Sequence, residues 1–266
     1  MDNKEYSDNG ILSLIESSIK QGNADIEKFH ENLLSNLNKI DKIKNIKAII
    51  EKKLSEKNIY FIRHAESEHN VLEAKYAYYG FEKWNIQDPK LTKKGIEQTK
   101  SASAKLKNFN IHFDTVFVSP LTRAIQTYFL IEKDLNNDAK IIVTDFIKEV
   151  VNSQLDKNKG KKLSLLKEEY KNTKLDFQYM TKEIWWYNLG NEIDKESEGQ
   201  TNFGLRLGIF ILWMAFRPEK NILLISHSHV FVNMQESFGI RNADVVKMNN
   251  NDLVKKVNWM INYDSD

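Results

Sequence analysis

Two stretches decide the fold: Ile59-Tyr60-Phe61-Ile62-Arg63-His64 and Ile222-Leu223-Leu224-Ile225-Ser226-His227. Each is a run of apolar residues that ends at a histidine. Such a run is typical of a strand buried on both faces of a sheet. Because the carboxyl ends of parallel strands open on one crevice, we expect both imidazoles to lie in the same site.

The segments between these stretches alternate between strand and helix patterns. Thr115–Val118 and Ile141–Val143 predict two further strands. Thr92 is expected to cap one helix, and Ser119 is expected to cap another, with Pro120 at its first helical position. The alternation predicts an α/β fold, a three-layer α/β/α sandwich on a mostly parallel sheet.

The remaining segments extend this core. Residues 1–57 predict one or two amphipathic helices that dock on the main domain, with a membrane surface or a protein partner as the alternative contact. Residues 58–266 form the main domain, in which 150–200 is a polar insertion over the site, anchored by Trp185-Trp186-Tyr187. A helix before Pro218 shows one apolar face, formed by Phe203, Leu207, Phe210, Ile211 and Met214.

The composition excludes several classes of protein. The chain has 266 residues, 41% hydrophobic, enough for one sizeable core. A net charge of +2 argues against a nucleic-acid surface, and the absence of cysteine excludes disulfides, thiolate zinc sites and a cysteine nucleophile. The polar start predicts no signal peptide, and no apolar run is long enough for a membrane span, so we expect a cytoplasmic protein.

The two histidine-ended strands favour a phosphoryl site. Neutral imidazole is a good nucleophile near physiological pH, which makes His64 the candidate nucleophile. Arg63 beside it needs a partner if buried, and a phosphate can serve. Read alone, His64 also fits an ordinary solvated or core histidine.

Three further residues complete the predicted site, and a fourth is added on weaker grounds. Arg123 falls in the first turn of a helix, where an anion would be stabilised by the N–H groups and by the guanidinium together. His227 can stabilise the transition state, Glu149 can supply the proton, and Asn70 can bind a phosphate oxygen. A surface arginine, a solvated loop glutamate and a common asparagine are the ordinary alternatives for Arg123, Glu149 and Asn70.

A metal site is the competing interpretation of the histidines. His227 and His229 alternate, and alternating residues of a strand point to opposite faces, so one ion could not easily bind both. No Asp or Glu joins either histidine at zinc-ligand spacing. We therefore expect neither a metal nor a cofactor.

The motifs resemble those of a known family. Arg63-His64-Ala65-Glu66-Ser67-Glu68-His69-Asn70 resembles the R-H-G-x-S-x-x-N signature of the histidine phosphatase superfamily, in its phosphoglycerate mutase-like branch. The segments 88–98, 118–127 and 225–227 resemble its later blocks, so the resemblance runs from Asn58 to about Gly239. A longer middle segment with Trp185-Trp186 is similar to the phosphatases of this branch.

The resemblance implies roles for these residues. His64 becomes phosphorylated; Arg63, Arg123 and His227 form the phosphate pocket; Glu149 is the proton donor and Asn70 a phosphate or substrate contact. Two departures are visible: Ala65 replaces the usual glycine, which is tolerable if its φ stays negative, and Ser228-His229 replaces a glycine after the last histidine.

The sequence thus predicts an enzyme, a phosphomonoester hydrolase that acts on a small phosphorylated metabolite through a phosphohistidine. One alternative is a phosphoglycerate mutase that depends on 2,3-bisphosphoglycerate. Against it, Val150-Val151-Asn152-Ser153 stands where mutases carry an R-x-Y-G run. A catalytically silent scaffold is the other alternative. The oligomeric state stays open, with a homodimer as one option.

Overall fold

A computed structural model describes residues 8–21, 26–38, 46–79, 83–135, 138–151, 156–186 and 198–263. The strands are β1 (Asn58–Arg63), β2 (Thr115–Val118), β3 (Lys140–Val143), β4 (Leu175–Asp176), β5 (Asn221–Ser226) and β6 (Val245–Lys247). The helices are α1 (Asp8–Gln21), α2 (Ile26–Asn38), α3 (Ile46–Ser55), α4 (Glu68–Tyr76), α5 (Lys93–Phe109), α6 (Thr122–Ile131), α7 (Leu163–Glu169), α8 (Gln200–Phe216), α9 (Ser228–Met234) and α10 (Asn250–Ile261).

The strands form one mixed sheet in the order β4-β3-β2-β5-β1-β6. The pairings are parallel except for that of β1 with the edge strand β6. β1 and β5 are neighbours, and Arg63 stands opposite Ser226 in their register. The predicted mostly parallel sheet is confirmed, and both histidines follow directly from adjacent strand ends.

Helices cover both faces of the sheet. Along β5, Ile222 and Leu224 belong to the core on the α8 side, whereas Leu223 and Ile225 belong to the core beneath α5 and α6. Successive side chains of a strand point to opposite faces, so a run without polar residues is what a doubly covered strand requires. The three-layer α/β/α architecture is therefore confirmed.

Helix α8 is buried on all sides rather than on the single face that its pattern predicted. Every residue from Phe203 to Phe216 is buried. The reason lies in residues before the sheet: α1, α2 and α3 pack on α8 and enclose it together with the sheet and α10. The described part of 1–57 thus holds three docked helices, not one or two.

The two predicted helix caps had different outcomes. Thr92 caps α5, where its side chain accepts a hydrogen bond from the N–H of Gly95. The prediction for Ser119 and Pro120 was wrong, because α6 begins only at Thr122. Asp88 takes the capping role from a distant loop: its carboxylate accepts from the N–H of Thr122 at 2.9 Å and from its hydroxyl at 2.6 Å.

Two aromatic residues anchor the described part of segment 150–200 in the core. Trp185 and Trp186 are buried in the core on the α6 side. The indole N–H of Trp185 also donates to the carbonyl of Lys161 at 2.8 Å. Tyr187, Asn152 and Ser153 lie outside the described residues.

Among the described residues, no helix has the length and apolar character needed to cross a membrane.

Candidate active site

Four neighbouring strand ends converge on one cluster. His64 follows β1, His227 follows β5, Arg123 lies in the first turn of α6 after β2, and Glu149 lies in the loop after β3. His64, His227, Arg123 and Glu149 are all buried. The two imidazole rings lie 5.1 Å apart between centroids. The residues that the sequence placed in one crevice are therefore together.

The ring of His64 is held in one tautomer. Its Nδ1 lies 2.8 Å from the carbonyl oxygen of Ala65, which can only accept, so Nδ1 carries the proton and Nε2 the lone pair. Burial, reinforced by the guanidinium groups of Arg123 and Arg63, holds the pKa of His64 well below its ordinary value. His64 is thus neutral at physiological pH, the state that a nucleophile needs. Ala65, in place of glycine, does not have a positive φ.

His227 is oriented by the serine that was expected to cap α6. Its Nε2 lies 2.7 Å from the hydroxyl oxygen of Ser119, and that oxygen also accepts the N–H of Leu121 at 3.5 Å. When the hydroxyl donates to Nε2, the ring proton lies on Nδ1. Burial, with the nearby Arg123, keeps the pKa of His227 well below its usual range. The ring is therefore neutral, with Nδ1 turned away from Ser119.

Arg123 is fixed from both sides. Its Nε donates to Nε2 of His64 at 3.2 Å, Nη1 donates to the carbonyl of Lys157 at 2.9 Å, and Nη2 donates to Oδ1 of Asn158 at 2.8 Å. Burial lowers the pKa of Arg123 to about 10, which leaves it charged at neutral pH. The segment between β3 and α7 thus supplies two acceptors that aim the guanidinium at His64.

Two buried side-chain nitrogens at the cluster have no hydrogen-bond partner in the described part of the chain. They are Nε of Arg63 and Nδ1 of His227. Arg63 is anchored through Nη1, which donates to the carbonyl of Ile240 at 2.8 Å. Buried donors without acceptors are rare in folded proteins and mark a place where an anion can be bound.

Glu149 is paired with His229, although no Asp or Glu lies at zinc-ligand spacing from that histidine in the sequence. Its Oε2 lies 3.2 Å from Nδ1 of His229, and its Oε1 accepts the N–H of Val150 at 3.0 Å. Burial alone would raise the pKa of Glu149, but the hydrogen bond and charge of His229 outweigh it and lower the pKa. His229 lies in α9 rather than on a continued strand, which corrects the alternation argument.

Asn70 lies beside the cluster and braces the loop after β1. Its Oδ1 accepts from the N–H and the hydroxyl of Ser67, each at 3.0 Å, and from Nδ2 of Asn242 at 3.3 Å. The same amide of Asn242 donates to the carbonyl of His64 at 2.9 Å. The oxygen of Asn70 is thus committed to structure, and only its amide nitrogen could contact a phosphate.

A set of charged and aromatic side chains surrounds the approach to Arg123. Lys157 lies 3.5 Å from Glu73 and 5.3 Å above the ring of Trp84. Nε2 of His69 lies 2.9 Å from the other oxygen of Glu73. Glu73 therefore partners both of these basic side chains.

A buried ionic network holds the loop that carries Glu149. Arg206 of α8 makes a double hydrogen bond to Glu198, at 2.7 and 2.8 Å, and also donates to the carbonyl of Phe146 at 2.5 Å. Lys148, next to Glu149, lies 3.3 Å from Glu198. Burial opposes the ionisation of Glu198, but Arg206 and Lys148 outweigh it and lower its pKa to about 2.

Sequence reasoning missed several of these groups. Lys157 acts through its carbonyl, which carries no sequence signal, and Asn158 is one of many asparagines. Glu198 and Arg206 could have been suspected, because a charged pair flanking an apolar helix needs partners if buried. Within the described ranges, no cluster of three or more His, Asp or Glu side chains is placed to hold a metal ion.

Comparison with known families and proteins gives a consistent result. The family described as histidine phosphatase superfamily (branch 1) matches residues 59–236. The 2,3-bisphosphoglycerate-dependent phosphoglycerate mutase of Mannheimia succiniciproducens is 41% identical over 78 residues, 29% of this chain and 31% of the relative. That of Bradyrhizobium sp. is 38% identical over 82 residues, 31% of this chain and 36% of the relative. The chain thus spans about a third of the length of these relatives.

A solved structure shares the fold. The ecdysone phosphate phosphatase from Bombix mori, in complex with tungstate, has a TM-score of 0.51 at 13% sequence identity, over 73% of this chain and 89% of that one. At this identity the likeness concerns the fold alone. It agrees with the three-layer architecture described above.

Proposed function

The chain belongs to branch 1 of the histidine phosphatase superfamily, and from this membership we propose that it hydrolyses phosphomonoesters through a phosphohistidine on His64. The carrying observation is the state of His64. Its Nδ1 is bound to a carbonyl, its Nε2 bears the lone pair, and its pKa is too low for protonation at neutral pH. An imidazole prepared in this way is a nucleophile toward phosphorus.

The donors around His64 support a site for the transferring phosphoryl group. Arg123 already points its Nε at Nε2 of His64, while Nε of Arg63 and Nδ1 of His227 are buried nitrogens without a protein partner among the described residues. The equatorial oxygens of the phosphoryl group would accept these N–H groups. In a buried site such donors stabilise the charge that develops in the transition state.

Glu149 is the proposed proton donor to the leaving oxygen, and then the base that takes a proton from water. In the first step the bond from phosphorus to the ester oxygen breaks as His64 attacks, and that oxygen takes a proton. In the second step water attacks phosphorus, the bond to His64 breaks, and inorganic phosphate leaves. Asn70 contributes at most an amide N–H to the phosphate.

The pairing of Lys157 with Glu73 favours hydrolysis of a small monoester over the mutase reaction. A mutase must also bind the carboxylate and the second phosphate of a bisphosphoglycerate, which requires unpaired cations. Here Glu73 contacts both Lys157 and His69, so the charge of Lys157 is partly neutralised. The substrate that we propose is a small phosphorylated metabolite with one phosphate.

Phosphoglycerate mutase activity remains the second candidate, because two relatives that carry this name share 41% and 38% identity with part of the chain. One assay distinguishes the mutase reaction from the phosphatase reaction. Isomerisation of 3-phosphoglycerate that depends on added 2,3-bisphosphoglycerate supports a mutase, whereas release of inorganic phosphate without isomerisation supports a phosphatase.

A panel of phosphorylated metabolites, monitored by phosphate release, tests the proposal. We expect turnover of at least one monoester without added metal, and loss of that turnover in His64→Ala and in His227→Ala. Hydrolysis that persists in both variants would overturn the proposed site. A protein inactive on the whole panel would favour a binding scaffold.

A further inference from the structure

Glu149, the proposed proton donor, has hydrogen-bond donors on both of its carboxylate oxygens. Oε1 accepts the N–H of Val150 at 3.0 Å. Oε2 lies 3.2 Å from Nδ1 of His229 and 3.5 Å from its backbone N–H. A carboxyl group that accepts on both oxygens is held in its ionised form, which has no proton to give.

The geometry points to His229 as the holder of the proton that the leaving group receives, with Glu149 as the relay between them. This inference rests on the hydrolase proposed above and adds a residue to it. His229 acts through Glu149, so it is a positioning and proton-holding residue rather than one that contacts the substrate. Ser228-His229 replaces the glycine that the family pattern often has after its last histidine, so this pairing of His229 with Glu149 is a feature of this chain.

The electrostatic surroundings agree with this placement. The hydrogen bond and charge of Glu149 raise the pKa of His229, although partial burial, Lys157 and Arg63 oppose the rise. Arg123 also faces Glu149 and favours its ionised form. With its side chain 68% exposed, His229 can exchange its proton with solvent between turnovers.

The proton balance of the two steps follows. As Nε2 of His64 bonds to phosphorus, the ester bond breaks and its electron pair stays on the leaving oxygen. A proton passes from Nδ1 of His229 to the Glu149 carboxylate and on to that oxygen, leaving His229 neutral. In the second step water gives a proton back along the same path, its oxygen bonds to phosphorus, and the electron pair of the broken P–N bond returns to His64.

The substitution His229→Asn separates a proton holder from a structural hydrogen bond. The amide of asparagine can donate to Glu149 from the position of Nδ1, but it holds no titratable proton. The matched control is His112→Asn, because His112 forms a comparable exposed pair with Asp138 at 3.1 Å on the loop before β2. The substrates are phenyl phosphate and p-nitrophenyl phosphate, whose leaving groups differ in their need for a proton.

For His229→Asn we expect kcat/KM on phenyl phosphate at neutral pH to fall about tenfold or more, and on p-nitrophenyl phosphate less than about threefold. The fall in kcat/KM at alkaline pH should begin at lower pH, and His112→Asn should match the wild type.

The relay would be overturned if His229→Asn kept both the wild-type pH profile and the wild-type ratio of kcat/KM on phenyl phosphate to kcat/KM on p-nitrophenyl phosphate. The proposed hydrolase would stand. If His64→Ala were as active as the wild type, the proposed hydrolase mechanism would be overturned, and the relay with it.

Discussion

Replacement of Glu198 by glutamine tests how the loop beside Glu149 is held. Glu198→Gln keeps the shape of the side chain but removes the negative charge between Arg206 and Lys148. Removing one partner of a buried ion pair leaves an uncompensated charge and typically costs about 3–5 kcal/mol. A pKa lowered from 4.5 to about 2 corresponds independently to about 3 kcal/mol of stability at neutral pH. Both routes give a similar loss.

The pH dependence of this loss has a definite sign. The pKa of Glu198 is lower in the folded state than in the unfolded state, so its contribution is complete above the unfolded value of 4.5 and declines as the pH falls toward 2. The difference between wild type and Glu198→Gln should therefore be about 3 kcal/mol at pH 7 and about 1.5 kcal/mol at pH 3.

Urea unfolding of both proteins between pH 3 and 7 measures this difference. Glu236→Gln is the matched control, because Glu236 pairs with Lys255 on the surface at 3.1 Å and should change the free energy of unfolding by less than about 0.5 kcal/mol. A deficit below about 1 kcal/mol at pH 7, or one that grows as the pH falls, would refute the reasoning.

The other predictions concern groups that position the site or its helix. Ser119→Ala removes the hydroxyl that orients the ring of His227, so kcat/KM should fall about tenfold with little change in urea midpoint. Asn158→Ala leaves Arg123 one acceptor short, and steady-state assays should show a similar fall; unchanged kinetics would show that Lys157 alone suffices. Asp88→Ala uncaps α6 and should lower the free energy of unfolding by about 1 kcal/mol, measured by thermal or urea unfolding.

Much of the fold could be predicted from patterns within short stretches of the sequence. The two histidine-ended runs are apolar at every position, and a strand covered on both faces has this pattern. Thr92 stands three residues before the N–H that it caps, so its role is visible within a single turn. Where cause and effect lie within a few residues, the sequence was sufficient.

Long-range partners explain the failures. The cap of α6 comes from Asp88, 34 residues earlier, so Ser119 was free for His227 instead. Helix α8 is covered on its other faces by α1, α2, α3 and α10. Its nearly continuous apolar run from Leu207 to Phe216, which the one-face interpretation passed over, is typical of a helix buried on all sides. The short strands β4 and β6 are two and three residues long, too brief for a pattern.

The candidate site also contains residues that the sequence predicts and contacts that it does not. Arg63, His64, Arg123 and His227 follow directly from strand ends or a helix start, so topology alone brings them together. The acceptors that aim Arg123 lie in the segment between β3 and α7, and Glu149 reaches His229 of α9 from the loop after β3. These contacts depend on the conformation of the segment that follows β3.

The most direct test of the account is to trap the intermediate. Wild-type protein is mixed with a ³²P-labelled monoester and quenched within the first turnover in alkaline denaturant, and peptides are then mapped. The account predicts acid-labile, base-stable label on the peptide that contains His64, and none in His64→Ala. Full turnover by His64→Ala, or label on another residue in the wild type, would contradict it.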